Sequence, residues 1–130
     1  LHIIMKKITT FFITGAVLLS IDLAYLKFIA PIFGKMVQNI QGSPMKVRWY
    51  SAAVAYFLLT LGVTHFIIIP NKSILEASFL GLVIYGVYDF TNHATINKYT
   101  LKMSIQDSIW GATLCALTTA ISKKLNNYLN

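Results

Sequence analysis

The sequence predicts an all-α fold, a four-helix transmembrane bundle forming a single membrane domain over residues 1–130. Three observations carry that expectation. Hydrophobic residues make up 56% of the chain and charged residues only 12%, with a mean hydropathy of +0.65. A soluble domain carries about 25% charged residues, so this chain lacks the polar surface to face water all round. Four apolar stretches approach the ~20 residues that a crossing helix needs, and the basic residues fall between them, where lipid headgroups lie.

Residues 8–26 form the first expected span. Met5-Lys6-Lys7 reads as a natural start, which makes residues 1–4 an expected upstream extension. Lys6-Lys7 before an apolar stretch also suits a signal peptide, but Asp22 follows directly and no small-residue cleavage pattern stands nearby, so an uncleaved helix is expected. Residues 27–48, with Pro31, Gly34, Gly42-Ser43-Pro44 and four basic residues, are expected to be the longest connection. Residues 49–70 are the clearest span, bounded by Arg48 and Lys72 and uncharged apart from His65. A turn follows, and Ser73 with Glu76 three positions on forms a capping box for the third helix. Residues 77–97 and 103–122 complete the set, joined by a short turn and followed by a polar, interfacial tail.

Three of these spans reach crossing length only by enclosing an aspartate. The uncharged runs cover residues 8–21, 77–88 and 108–122; adding Asp22, Asp89 and Asp107 extends each to a lysine, at Lys27, Lys98 and Lys102. With alternating helix directions, all three acids fall in the half of the bilayer away from the termini. Asp22 and Asp107 each lie five positions from a lysine, a depth of roughly 7 to 8 Å. Asp89 lies nine from Lys98, roughly 13 Å deep, and is expected to be the deepest. A carboxylate at mid-helix costs on the order of 3 kcal/mol to insert, and interhelical hydrogen bonds return about 0.6 kcal/mol each, so such acids are read first as a functional site.

On the third helix, Tyr85, Asp89 and Asn92 share a face, with Tyr88, Asn92 and Thr95 alongside. On the fourth, Ser104, Ser108, Gly111, Cys115, Thr118 and Ser122 recur at intervals of three and four, a stripe of small residues that lets helices approach closely in lipid. Asp107 and Trp110 flank it. The candidate polar site is therefore Asp22, Tyr85, Asp89, Asn92, Asp107 and Trp110, and close packing of the third and fourth helices would bring Asp107 towards Asp89.

Other features carry less. The net charge of +7 would suggest nucleic acid in a soluble protein; here it is assigned to headgroups, Lys35, Lys46 and Arg48 among them, and no nucleic-acid partner is expected. Five basic residues on the side of the termini face six on the other, which leaves orientation undecided. Cys115 is the single cysteine, so no intrachain disulfide forms, and it reads as a small packing residue. His93 shares a face with Asp89, but His65 lies towards the opposite membrane surface, so no metal site is expected. Trp49, Tyr50, Tyr99 and Tyr128 read as interfacial aromatics. No phosphate loop or nucleophile elbow is present, and no cofactor is expected.

The segments Asp22-Leu23-Ala24-Tyr25-Leu26, Tyr85-Gly86-Val87-Tyr88-Asp89-Phe90-Thr91-Asn92-His93-Ala94-Thr95-Ile96 and Asp107-Ser108-Ile109-Trp110-Gly111 resemble the DUF2177 family of predicted membrane proteins. The resemblance spans nearly the whole chain and departs at Tyr25, where the family favours tryptophan, and at Lys27, where it favours a small residue. It implies a small polytopic membrane protein and no particular reaction. The expected function is transport or binding of a small solute or ion at the intramembrane carboxylates, in the inner (plasma) membrane, with the lipid bilayer as partner. Four helices leave little room for a pathway, which favours a homo-oligomer. A lipid-modifying enzyme and a structural or accessory subunit are the alternatives.

Overall fold

A computed structural model describes residues 1–129, which form four helices: α1 (His2–Gln41), α2 (Trp49–Val63, continued by a π-helical turn, Thr64–Ile68), α3 (Ile74–Thr95) and α4 (Leu101–Leu129). No strand occurs among the described residues.

The first helix differs most from expectation. The segment read as a long connection is helical as far as Gln41, and only residues 42–48 link α1 to α2. At 40 residues α1 is ~60 Å long, about twice the hydrocarbon thickness, so it must project beyond the bilayer. The physical reason is a second apolar stripe. Ile29, Phe33, Met36 and Ile40 recur at helical spacing and pack with Tyr25 against Tyr99 and Met103, beneath the α3–α4 turn. Pro31 removes one backbone donor inside the helix without ending it. Gly42 ends it: its φ of 77° places it in the left-handed region, and its N–H returns to the Gln38 carbonyl at 2.8 Å.

The α3 start follows the sequence closely. Ser73 Oγ accepts from the Glu76 amide at 3.1 Å, and the Ser73 amide donates back to Glu76 Oε2 at 3.3 Å, closing the capping box. At its other end α3 stops at Thr95, and the turn to α4 passes through Lys98 with φ 70°.

Three stretches are long and apolar enough to cross a membrane: His2–Gln41, Trp49–Ile68 and Ile74–Thr95. The 29 residues of α4, ~43 Å, also suffice in length, but its composition is less apolar. Its position explains this. α4 packs along α3 and also against α1 and the π-helical turn, whereas α2 and α3 hardly touch. Lipid tails are as apolar as leucine, so water-type burial gives helices no reason to associate; close van der Waals fit and polar contacts do. The helix with the most small and hydroxylated residues therefore sits centrally, and large apolar side chains such as Phe12, Phe57, Phe79 and Val87 face outward. All six residues of the expected small stripe on α4 are buried. The closest approach is at Gly81 and Gly111: a methyl group on Gly81 would stand 2.1 Å from the Gly111 carbonyl oxygen, and one on Gly111 2.3 Å from the Tyr85 ring.

Candidate functional site

The three aspartates line up along α4, each met by different partners. Nearest the α3–α4 turn is Asp89. It is fully buried; Tyr99 donates to its Oδ1 at 2.5 Å, and Ser104 Oγ donates to its backbone carbonyl at 3.2 Å. Next comes Asp107, whose carboxyl lies within hydrogen-bonding reach of Asp89 and receives the Tyr25 hydroxyl at 3.5 Å, the limit of such a bond. Furthest along is Asp22. Trp110 Nε1 donates to its Oδ1 at 2.8 Å, and the Tyr56 hydroxyl donates to its Oδ2.

This order corrects the expected depths. Asp89 is level with Ser104, near the start of α4, and is the shallowest of the three; Asp22, level with Trp110, is the deepest, with ~9 Å of helix rise between those two levels. The lysines misled the estimate. Lys27 lies inside a helix that continues to Gln41 and so marks no membrane edge, and Lys98 follows a turn that folds back and returns Tyr99 to Asp89.

The acids do not converge on one point, and no set of three His, Cys, Asp or Glu side chains able to hold a metal occurs among the described residues. Two subsites result. Asp22 has a donor on each oxygen, which makes it a closed contact joining α1, α2 and α4. Asp89 and Asp107 form the other, and Asp89 Oδ2 is buried with no hydrogen-bond donor. The subsites are linked by aromatic rings: Tyr25 stacks on Trp110 with centroids 4.2 Å apart and planes 8° from parallel, while its hydroxyl points to Asp107.

Of the remaining site candidates, Tyr85 packs over Gly111, and Asn92 lies within hydrogen-bonding reach of the Tyr88 and Tyr99 hydroxyls. Three tyrosines were not among the candidates. Tyr99, read as interfacial, is 6% exposed and holds Asp89. Burial first, and then the Asp89 carboxylate beside it, raise its phenol above the ordinary tyrosine value, so it remains a donor. Tyr25 sits at a motif position noted only for departing from the family, and Tyr56 lies in an apolar run with no signal beyond its own polarity. His93 takes no part in the carboxyl pair: its Nδ1 bonds the Tyr99 backbone carbonyl at 2.8 Å and so fixes the turn. His65, on the π-helical turn, is exposed and stands edge-on to Phe66, away from the carboxylates.

A cleft of about 450 Å³ opens beside the pair. Asp107 lines it, with Ala55, Leu58 and Leu59 of α2 and Ile84, Tyr85 and Tyr88 of α3. It exists because α2 and α3 each pack against other elements and leave a gap between themselves. Towards the termini the polar character continues as hydroxyls. Thr14, Thr64, Thr118, Thr119 and Ser122 are buried, and none of their side-chain oxygens has a partner.

Neither a curated protein nor a solved structure matches this chain. A family model described as a predicted membrane protein matches residues 7–123, a stretch that contains all three aspartates and most of each helix that carries them. With apolar helices of crossing length arranged as a bundle, the protein is an integral membrane protein and belongs to the DUF2177 family.

Proposed function

We propose that this protein binds a small cationic or proton-donating solute, or an ion, at the Asp89–Asp107 pair and carries it within the membrane. The observation that carries this reading is the Oδ2 atom of Asp89: fully buried, without a donor, and belonging to a carboxyl that neighbours Asp107, which lines an open cleft. An acceptor withdrawn from water without a partner is unfavourable. Two carboxyls this close hold a proton or a cation between them, because both cannot keep full charge side by side in a medium of low dielectric. The pair is thus a place where a proton or a cation is bound, and Asp107 gives it access.

Asp22 has the opposite character. Its saturated contacts suit the locking of three helices, as an accessory or structural role would require. The buried hydroxyls in the other half of the bundle support onward passage, and assembly of several copies would supply the width that four helices lack. An enzyme acting on lipid finds support in the cleft alone.

The test is flux into proteoliposomes holding a pH-sensitive dye, with imposed proton, Na⁺ and K⁺ gradients. Asp89→Asn and Asp107→Asn should each lower the flux by more than about tenfold, the loss expected when a charged partner is removed from a buried pair. Unchanged flux in Asp89→Asn overturns the proposal.

A further inference from the structure

The cleft has a polar end and an apolar end, and they face in definite directions. Asp107 lies six residues past the start of α4, roughly 9 Å along that helix. The apolar walls on α2, Ala55 to Leu59, lie roughly 9 to 15 Å past Trp49, and those on α3, Tyr88 back to Ile84, roughly 10 to 17 Å before Thr95. The carboxyl therefore stands at the shallow end, and hydrocarbon lines the way towards the bilayer centre. A lipid-like molecule resting in that leaflet has the same polarity along its length.

From this geometry we infer that the cleft between α2 and α3 takes a single-chain amphipathic amine from the surrounding leaflet, its ammonium head on the Asp89–Asp107 pair and its chain along Leu58, Leu59 and Ile84. The inference rests on the reading of that pair as a binding site and narrows its ligand to one class.

Charge complementarity chooses the occupant. A carboxylate at the head of an apolar cleft is neutralised by one ammonium, and a neutral assembly is far less costly in the membrane than either ion alone. An ammonium also brings several N–H donors, and Asp89 Oδ2 is an acceptor that lacks one. An anionic or plain hydrocarbon ligand leaves that oxygen unsatisfied. The Tyr88 and Tyr85 rings on the α3 wall offer aromatic surface next to the head, where a cation is favoured. The volume, about 450 Å³, falls within the ~300 to 1,000 Å³ typical of small-molecule sites. Entry needs no aqueous channel, since the gap between α2 and α3 opens sideways into lipid.

The experiment uses the full chain in nanodiscs with a photoreactive long-chain primary amine, the matching long-chain alcohol, and ethylamine as a water-soluble competitor. The amine should crosslink to Leu58, Leu59 or Ile84. The alcohol should label these positions at least about tenfold less, as expected when a charged hydrogen-bonding partner is absent. Asp107→Asn should remove the preference for the amine. Ala55→Trp, at a lipid-facing position where folding is not at stake, should block labelling by filling the cleft. Equal labelling by amine and alcohol, or labelling of the amine unaffected by Ala55→Trp, overturns the inference. If ethylamine or Na⁺ still binds or crosses in a manner that depends on Asp89 while the long-chain amine does not compete, the ligand class is wrong and the carboxyl site stands. If nothing depends on Asp89 or Asp107, both readings fall. Labelling from a second copy of the chain across the cleft would assign it to an interface, which also overturns the inference.

Discussion

Two aspartates of similar sequence context have different environments. Asp22 accepts from Tyr56 and Trp110, one donor on each oxygen. Asparagine in its place offers one acceptor and turns an N–H₂ towards a donor, so Asp22→Asn should destabilise the bundle by about 1–3 kcal/mol, measured as a lower melting temperature in detergent. Asp89→Asn or Asp107→Asn should act mainly on flux. Tyr99 supplies a further residue-scale prediction. Its folded-state phenol is raised above the unfolded value, so its bond to Asp89 contributes in full below the ordinary tyrosine value, about 10, and is lost only as pH climbs through the higher folded value. In ultraviolet titration from about pH 9 to 11, Tyr99→Phe should therefore show the same phenolate amplitude as the parent protein. A smaller amplitude in the variant would mean that Tyr99 titrates normally and is not held by Asp89. None of the tyrosine contacts was legible in the sequence, because a phenol among apolar residues looks the same whether it faces lipid or a carboxylate.

Among the elements, α3 and α4 are the pair on which the carboxyl site depends. Gly81 and Gly111 allow a contact that no side chain larger than hydrogen permits. Gly81→Ala should push the helices apart, at a cost of about 1–3 kcal/mol or more, and should loosen Asp89 from Ser104 at the same time. Gly86→Ala is the control: its methyl group would meet Ser108 Oγ at 3.7 Å, an ordinary contact, and should leave thermal unfolding unchanged. The small-residue stripe on α4 was readable in advance because its spacing alone fixes a helix face. The extension of α1 was not. Pro31, Gly34 and four basic residues look like a loop, and the apolar positions Ile29, Phe33, Met36 and Ile40 become decisive only when Tyr99 and Met103 stand opposite them. The same extension gathers Lys35 with Lys98 and Lys102 around one surface groove, at the level where headgroups are expected.

For the whole molecule, composition and the length of the apolar runs determined that the chain lives in a bilayer as a helical bundle. Those properties are sums over residues and need no knowledge of neighbours. Helix alternation also brought the three acids towards the same end of the bundle, that of the α3–α4 turn. What only the tertiary structure decided is which acid is satisfied and which is open. That depends on where a turn folds back, how far a helix runs past its last lysine, and which two helices fail to meet. The fold returns Tyr99 to Asp89, closes Tyr56 and Trp110 over Asp22, and leaves Asp107 beside the gap between α2 and α3. Insertion energy is local and therefore readable from sequence, whereas a hydrogen bond between distant residues exists only once packing has set their distance.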